Sequence, residues 1–149
     1  MIRVASRPLF ALVLVATGVL AWATPVRATA RPHVSRGTAE FTNANDFVGA
    51  GHATHFGRYD EVGSVQFTPT SDPAILSVNA RSTYTAANGD RLCAVFTGQL
   101  NGVTGVITAT ITYVGGTGRF TNASGTATLT GELLPGGSIE VAVEGTVDY

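Results

Sequence analysis

The chain reads as an all-β protein, an eight-stranded antiparallel up-and-down barrel, and three observations predict it. From residue 38 onward apolar residues recur at every second position, and no stretch carries the 3.6-residue period of a helix. Turn-forming groups such as Asn88-Gly89, Asn101-Gly102 and Pro135-Gly136-Gly137 interrupt that alternation at hairpin spacing. A connection with four glycines in the twelve residues Val114–Gly125 then joins two of the alternating runs. Eight antiparallel strands close into a barrel whose interior is just wide enough for side chains or one small ligand. A two-sheet β-sandwich uses the same strands and is the alternative.

Residues 1–30 stand apart from this pattern. Arg3 and Arg7 precede Leu9–Trp22, an apolar run of 14 residues, and Ala21-Trp22-Ala23 and Ala28-Thr29-Ala30 each offer small residues for a cleavage site. This is the pattern of a secretory signal peptide cleaved after Ala30, with Ala23 as the alternative. The run is short for a membrane span, which takes about 20 residues. The expectation is a secreted, extracellular chain: a signal peptide over 1–30, a flexible lead-in over 31–37 with Pro32 and Gly37, and a single barrel domain over 38–149.

The strands follow in order. Thr38–Thr42 is short, with Ala39 and Phe41 on one face, and Asn43–Asp46 turns it. Phe47–Phe56 is the second strand, softened by Gly49 and Gly51. A turn over Gly57–Gly63 leads to Ser64–Thr68, which Pro69 and Pro73 end. Ile75–Ala86 aligns Leu76, Val78, Ala80 and Tyr84, and Arg91–Leu100 aligns Leu92, Ala94 and Phe96 across the Asn88-Gly89 turn. Val106–Val114 aligns Ile107, Ala109, Ile111 and Tyr113. Thr126–Leu134 aligns Ala127, Leu129 and Leu133, and Ser138–Val147 aligns Ile139, Val141, Val143 and Val147.

Charge excludes some partners. Without Arg3, Arg7 and Arg27 the chain keeps six Arg against ten Asp and Glu, a net charge of −4, and it has no Lys. No basic stripe exists to neutralise nucleic-acid phosphates or to hold a membrane surface. The single Cys93 has no disulfide partner and reads as a small buried hydrophobe rather than a nucleophile. The Thr-rich faces Thr108–Thr112 and Thr126–Thr130 are uncharged and β-favouring, suited to solvent or to an oligomer face.

The segment Gly115-Gly116-Thr117-Gly118-Arg119-Phe120, followed by Ala123 and Gly125, resembles the Gly-Gly-Thr-Gly-(Lys/Arg)-Phe…Ala…Gly connection of dirigent proteins and allene oxide cyclase-like barrels. Gly51–Gly57 and Tyr84–Asp90 resemble segments that recur in small secreted bacterial barrels of this type. The resemblance implies an eight-stranded barrel with an apolar interior, often a homodimer or homotrimer, that confines an apolar small molecule without a cofactor. Physically, Gly115, Gly116 and Gly118 permit backbone angles closed to other residues. Arg119–Asn122 then has room for one helical turn, with Phe120 plugging a barrel end, Arg119 pinning the loop, and Gly125 restarting the strand close to a neighbour.

His52, Phe56, Tyr84, Phe96 and Tyr113 are the candidate lining of the barrel. His52 shares a face with Val48, Ala50 and Phe56, unless a bulge at Gly49 or Gly51 turns His55 inward instead. His52 and His55 lie on opposite faces of a strand and His33 falls in the lead-in, so no metal site is expected. Asp46, Asp60, Glu61, Asp72 and Asp90 fall in turns; Glu132, Glu140 and Glu144 alternate outward. No residue is assigned to catalysis, no residues of the dirigent or cyclase sites map onto this chain, and no cofactor is expected. The interior reads as aliphatic and aromatic. The expected function is a non-enzymatic secreted barrel that binds a small apolar ligand or serves as an interaction module. The alternative is a dirigent- or cyclase-like, isomerase-type protein that steers a reactive intermediate past His52 and Tyr84.

Overall fold

A computed structural model describes residues 29–149. The signal peptide expected over 1–30 lies outside them but for its last two residues. Eight strands follow one another: β1 (Arg31–Phe41), β2 (Asp46–Ala53), β3 (Gly57–Pro69), β4 (Ile75–Ala86), β5 (Arg91–Asn101), β6 (Val106–Gly116), β7 (Ser124–Leu133) and β8 (Ser138–Val147). Each pairs antiparallel with the next, and β1 pairs with β8, so the sheet is a closed up-and-down barrel with no free edge. The sandwich alternative is set aside by that last pairing.

Two segments differ from the sequence reading. Residues 31–37 are not a flexible lead-in but the first part of β1, paired with β8 from Arg31 opposite Val147. Pro32 is tolerated near the strand start, where a missing N–H costs least. Residues 57–63 are not a turn but the first half of β3, in unbroken register with β2. Both segments hide for one reason: their inward positions are His33, Ser35 and Gly37 in β1, and Tyr59, Glu61 and Gly63 in β3, so apolar alternation is missing where strand alternation is present. The chain turns at Thr54–Phe56, earlier than expected, with His55 in the left-handed region at φ 72°. That turn is tied to β1: Thr54 N donates to Val34 O at 2.9 Å, and His55 Nε2 lies 2.8 Å from Pro32 O.

One end of the barrel is closed. The β6–β7 connection makes a single 3-10 turn, Gly118–Phe120, with Gly115 at φ 91° and Gly118 at φ 58° where a side chain would be strained. It carries Phe120 inward to full burial, its ring 4.7 Å from that of Phe56 and 4.9 Å from that of Tyr149. Thr117 Oγ1 accepts a hydrogen bond from Arg91 N at 3.0 Å, and Arg119 Nε lies 3.5 Å from Asp90 Oδ2 across the β4–β5 turn. The ion pair is partly exposed and contributes little; the backbone bonds and Phe120 hold the loop.

Glycines in β1 and β2 shape the interior. A Cβ on Gly51 would stand 2.5 Å from the Tyr59 hydroxyl and collide with the Arg36 carbonyl; one on Gly49 would stand 3.1 Å from Glu61 Oε2. These strands surrender volume to the side chains of β3. Gly51→Ala is therefore expected to destabilise the barrel by about 1–3 kcal/mol through overpacking. Urea denaturation measures it, and an unchanged midpoint would show that both Tyr59 and the β1 backbone at Arg36 give way freely.

Candidate functional site

Of the residues expected to line the barrel, Phe56, Tyr84, Phe96 and Tyr113 are buried inside it. His52 is not: it is exposed on the outer surface. β2 runs without a bulge against β3, so its inward positions are Phe47, Gly49, Gly51 and Ala53. His55 does not turn inward either; it sits in the β2–β3 turn, edge-on to Tyr149 at 5.8 Å. The histidine inside the barrel is His33, 3% exposed, at 5.6 Å from the Phe56 ring and 5.4 Å from that of Tyr113. Burial, with a smaller push from His55, lowers its pKa to about 4, and its Nδ1 is buried without a hydrogen-bond partner. Cys93 is half-buried rather than buried; it faces outward from β5, its Sγ 3.9 Å from Thr83 Oγ1.

The expectation of an aliphatic and aromatic interior is corrected by a polar cluster. Glu61, assigned to a turn by sequence, is 7% exposed and points inward from the middle of β3. Burial raises its pKa to about 7. The hydroxyls of Ser82 and Tyr84 oppose that rise, although Ser82 Oγ closes no hydrogen bond of its own. Ser35 Oγ and the Tyr59 hydroxyl are hydrogen-bonded at 2.9 Å, and the Tyr59 and Tyr84 rings meet edge to face at 5.2 Å. Burial first, then the neighbouring Glu61 and tyrosines, pushes the Tyr84 phenol well above its ordinary value, and that of Tyr113 in the same direction.

Tyr59, Tyr84 and Val143 divide the barrel into two compartments. Above them lies a cavity of about 90 Å³, walled by Val78, Phe96, Ile107 and Leu129, with Glu61 at its floor. It is half-open at the end where Phe41, Phe47 and Phe67 form an aromatic rim. Below them a void of about 10 Å³ is bounded by His33, Ser35, Ala53 and Phe56, close to the least volume that holds one water. Phe120 and Tyr149 seal the end beyond it.

Chemically, the upper cavity is an apolar funnel that ends on one carboxyl and two phenols. A carboxyl that titrates near neutrality can give or take a proton there. Among the described residues no three His, Cys, Asp or Glu side chains gather to hold a metal ion. The residues missed by sequence are Glu61, Tyr59, Ser82, Ser35 and His33. One signal could have found the two on β3: Tyr59, Glu61, Gly63, Val65 and Phe67 keep a period of two up to the next turn. No protein-family model, curated protein or solved structure matches the chain.

Proposed function

We propose that the barrel binds a small, largely apolar molecule bearing one hydrogen-bonding group, with its apolar body against the funnel wall and its polar tip at Glu61. The observation that carries this reading is the buried Glu61 carboxyl at the floor of an otherwise apolar, solvent-accessible cavity. Burying a carboxyl weakens a fold unless something compensates it. Few convergent polar groups at the end of an apolar cleft is the ordinary design of a small-molecule site. The volume suits the end of a narrow molecule, with the remainder passing the Phe41, Phe47 and Phe67 rim. The likeness of the Gly115–Gly125 connection to dirigent and allene oxide cyclase-like barrels, which confine apolar molecules, points the same way. With the expected signal peptide, the protein would do this outside the cell.

A second reading has its own support. A carboxyl titrating near 7 beside two phenols is equipped to move a proton on a bound intermediate, so an isomerase-type role would run through Glu61 rather than His52. Under that reading Glu61→Gln abolishes turnover while ligand still binds.

The binding test is an NMR titration of the protein with linear alcohols of four to eight carbons. The expected result is saturable shifts confined to cavity-lining residues. Ala109→Phe, which fills the funnel from β6, is expected to weaken binding at least about tenfold by displacing the ligand from its apolar wall. Shifts elsewhere, or affinity untouched by Ala109→Phe, would refute the proposal.

A further inference from the structure

Resting on the ligand-binding reading, we infer that the polar tip selected by the cavity is a cation: the ligand is an amphiphilic amine, its protonated amino group seated between the Glu61 carboxylate and the rings of Tyr59 and Tyr84. The groups around Glu61 carry the inference. Tyr59 faces it from its own strand, Ser82 and Tyr84 from β4 and Tyr113 from β6, while on β2 Gly49 stands opposite it and Phe47 lines the same cavity; Ser35 and His33 of β1 stand behind Tyr59. None of these brings a positive charge at neutral pH. His33, the basic group buried inside the barrel, is held neutral by its burial. Arg31, Arg36, Arg58, Arg81, Arg91 and Arg119 are all exposed on the outside.

Glu61 is thus a buried acid with no counter-charge beside it among the described residues. An uncompensated charge in low dielectric is stabilised most by an opposite charge brought to it. An anionic ligand meets repulsion and finds no Arg among the described residues to receive it. A neutral ligand gains a hydrogen bond and no charge pairing. An ammonium group gains the ion pair, hydrogen bonds to the carboxylate, and the negative faces of the surrounding rings. Because Glu61 is partly protonated near neutrality, binding releases its proton to solvent: the carboxylic acid becomes the carboxylate and the ammonium group keeps its own three protons.

The test compares n-hexylamine, 1-hexanol and hexanoate, alike in chain and different in charge, by NMR titration of the protein and of its Glu61→Gln variant. Near pH 8 hexylammonium is expected to bind about tenfold or more tightly than hexanol, with hexanoate weakest. Near pH 5.5, where Glu61 is protonated, that preference is expected to shrink to roughly threefold or less. Glu61→Gln is expected to erase the preference of hexylammonium over hexanol at the higher pH. Calorimetry near pH 7 in buffers of different ionisation enthalpy should show about half a proton released per hexylammonium bound. Hexanol binding as tightly as hexylammonium near pH 8 would overturn the cation assignment and leave the ligand site standing, as would a preference that survives Glu61→Gln. No binding by any of the three would overturn both.

Discussion

Replacing Phe120 with alanine is expected to cost the barrel about 3–5 kcal/mol, the range for truncating a fully buried aromatic. Phe120 has no exposed surface, and its ring is held between those of Phe56 and Tyr149 at 4.7 and 4.9 Å. The Arg119 guanidinium covers it at 4.8 Å from the ring centroid. The loop cannot follow the shrinking side chain inward. A Cβ on Gly116 would already collide with the Arg91 carbonyl, so the backbone there is at its closest approach to β5. The void therefore persists, and unrelieved voids make large truncations expensive. Phe120→Leu retains most of the volume and is expected to lose roughly half as much or less. Arg119→Ala should lose no more than about 1 kcal/mol, since its ion pair is partly exposed to solvent. Equilibrium urea unfolding separates the three. A loss below about 1 kcal/mol for Phe120→Ala would mean that Phe56 and Tyr149 can close the end without it.

The second large effect is one of pH, and it is concealed in the unmodified protein. Glu61 titrates at about 7 when folded against an ordinary 4.5, so between those values the folded state holds a proton that the unfolded chain has lost. Its contribution is full below pH 4.5 and is lost as pH rises to about 7, a change on the order of 3 kcal/mol. His33 runs the other way. Its pKa falls from 6.5 to about 4 on folding, so its contribution is full above 6.5 and is lost as pH falls to about 4, again on the order of 3 kcal/mol. Across the shared window from 4.5 to 6.5 the two slopes oppose and nearly cancel. Glu61→Gln should uncover a stability that climbs with pH through this window, and His33→Gln one that declines. Denaturation at a series of pH values measures each difference from the unmodified protein. Parallel profiles for the unmodified protein and Glu61→Gln would refute the assignment of a raised pKa to Glu61.

These two buried groups also explain which parts of the molecule sequence could disclose. Ile75–Ala86 and Ser138–Val147 have the ends expected of them, because Leu76, Val78 and Ala80, or Ile139, Val141 and Val143, mark successive inward positions. The barrel follows from such strands and their turns, and Tyr84, Phe96 and Tyr113 fall inside as the alternation requires, whereas Phe56 enters the interior from the β2–β3 turn. β1 and the front of β3 were obscured because His33, Ser35, Tyr59 and Glu61 occupy inward positions, and a pattern built on apolar residues reads them as loop. Ser35, Tyr59 and Glu61 of the polar cluster are thus among the residues that disguised their strands. His52 was misplaced by parity alone: it is one position from the inward-facing Gly51 and Ala53, and a shift of one residue exchanges the two faces of a strand.

The pairing that closes the barrel has a consequence for how the cavity comes into being. Seven of the eight ladders join consecutive strands across local turns, whereas the β1–β8 ladder brings Arg31 opposite Val147. The entropy of ring formation grows with the length of chain enclosed, so this seam is the most expensive of the eight to form from an open sheet. His33 and Ser35 belong to β1, one side of that seam. When it parts, β1 stays paired with β2, but the enclosed surroundings of Glu61 open to solvent, and the low dielectric that sets Glu61's proton affinity is lost. The binding floor and the closed ring are one cooperative unit, and amide exchange along β1 reports the opening of both.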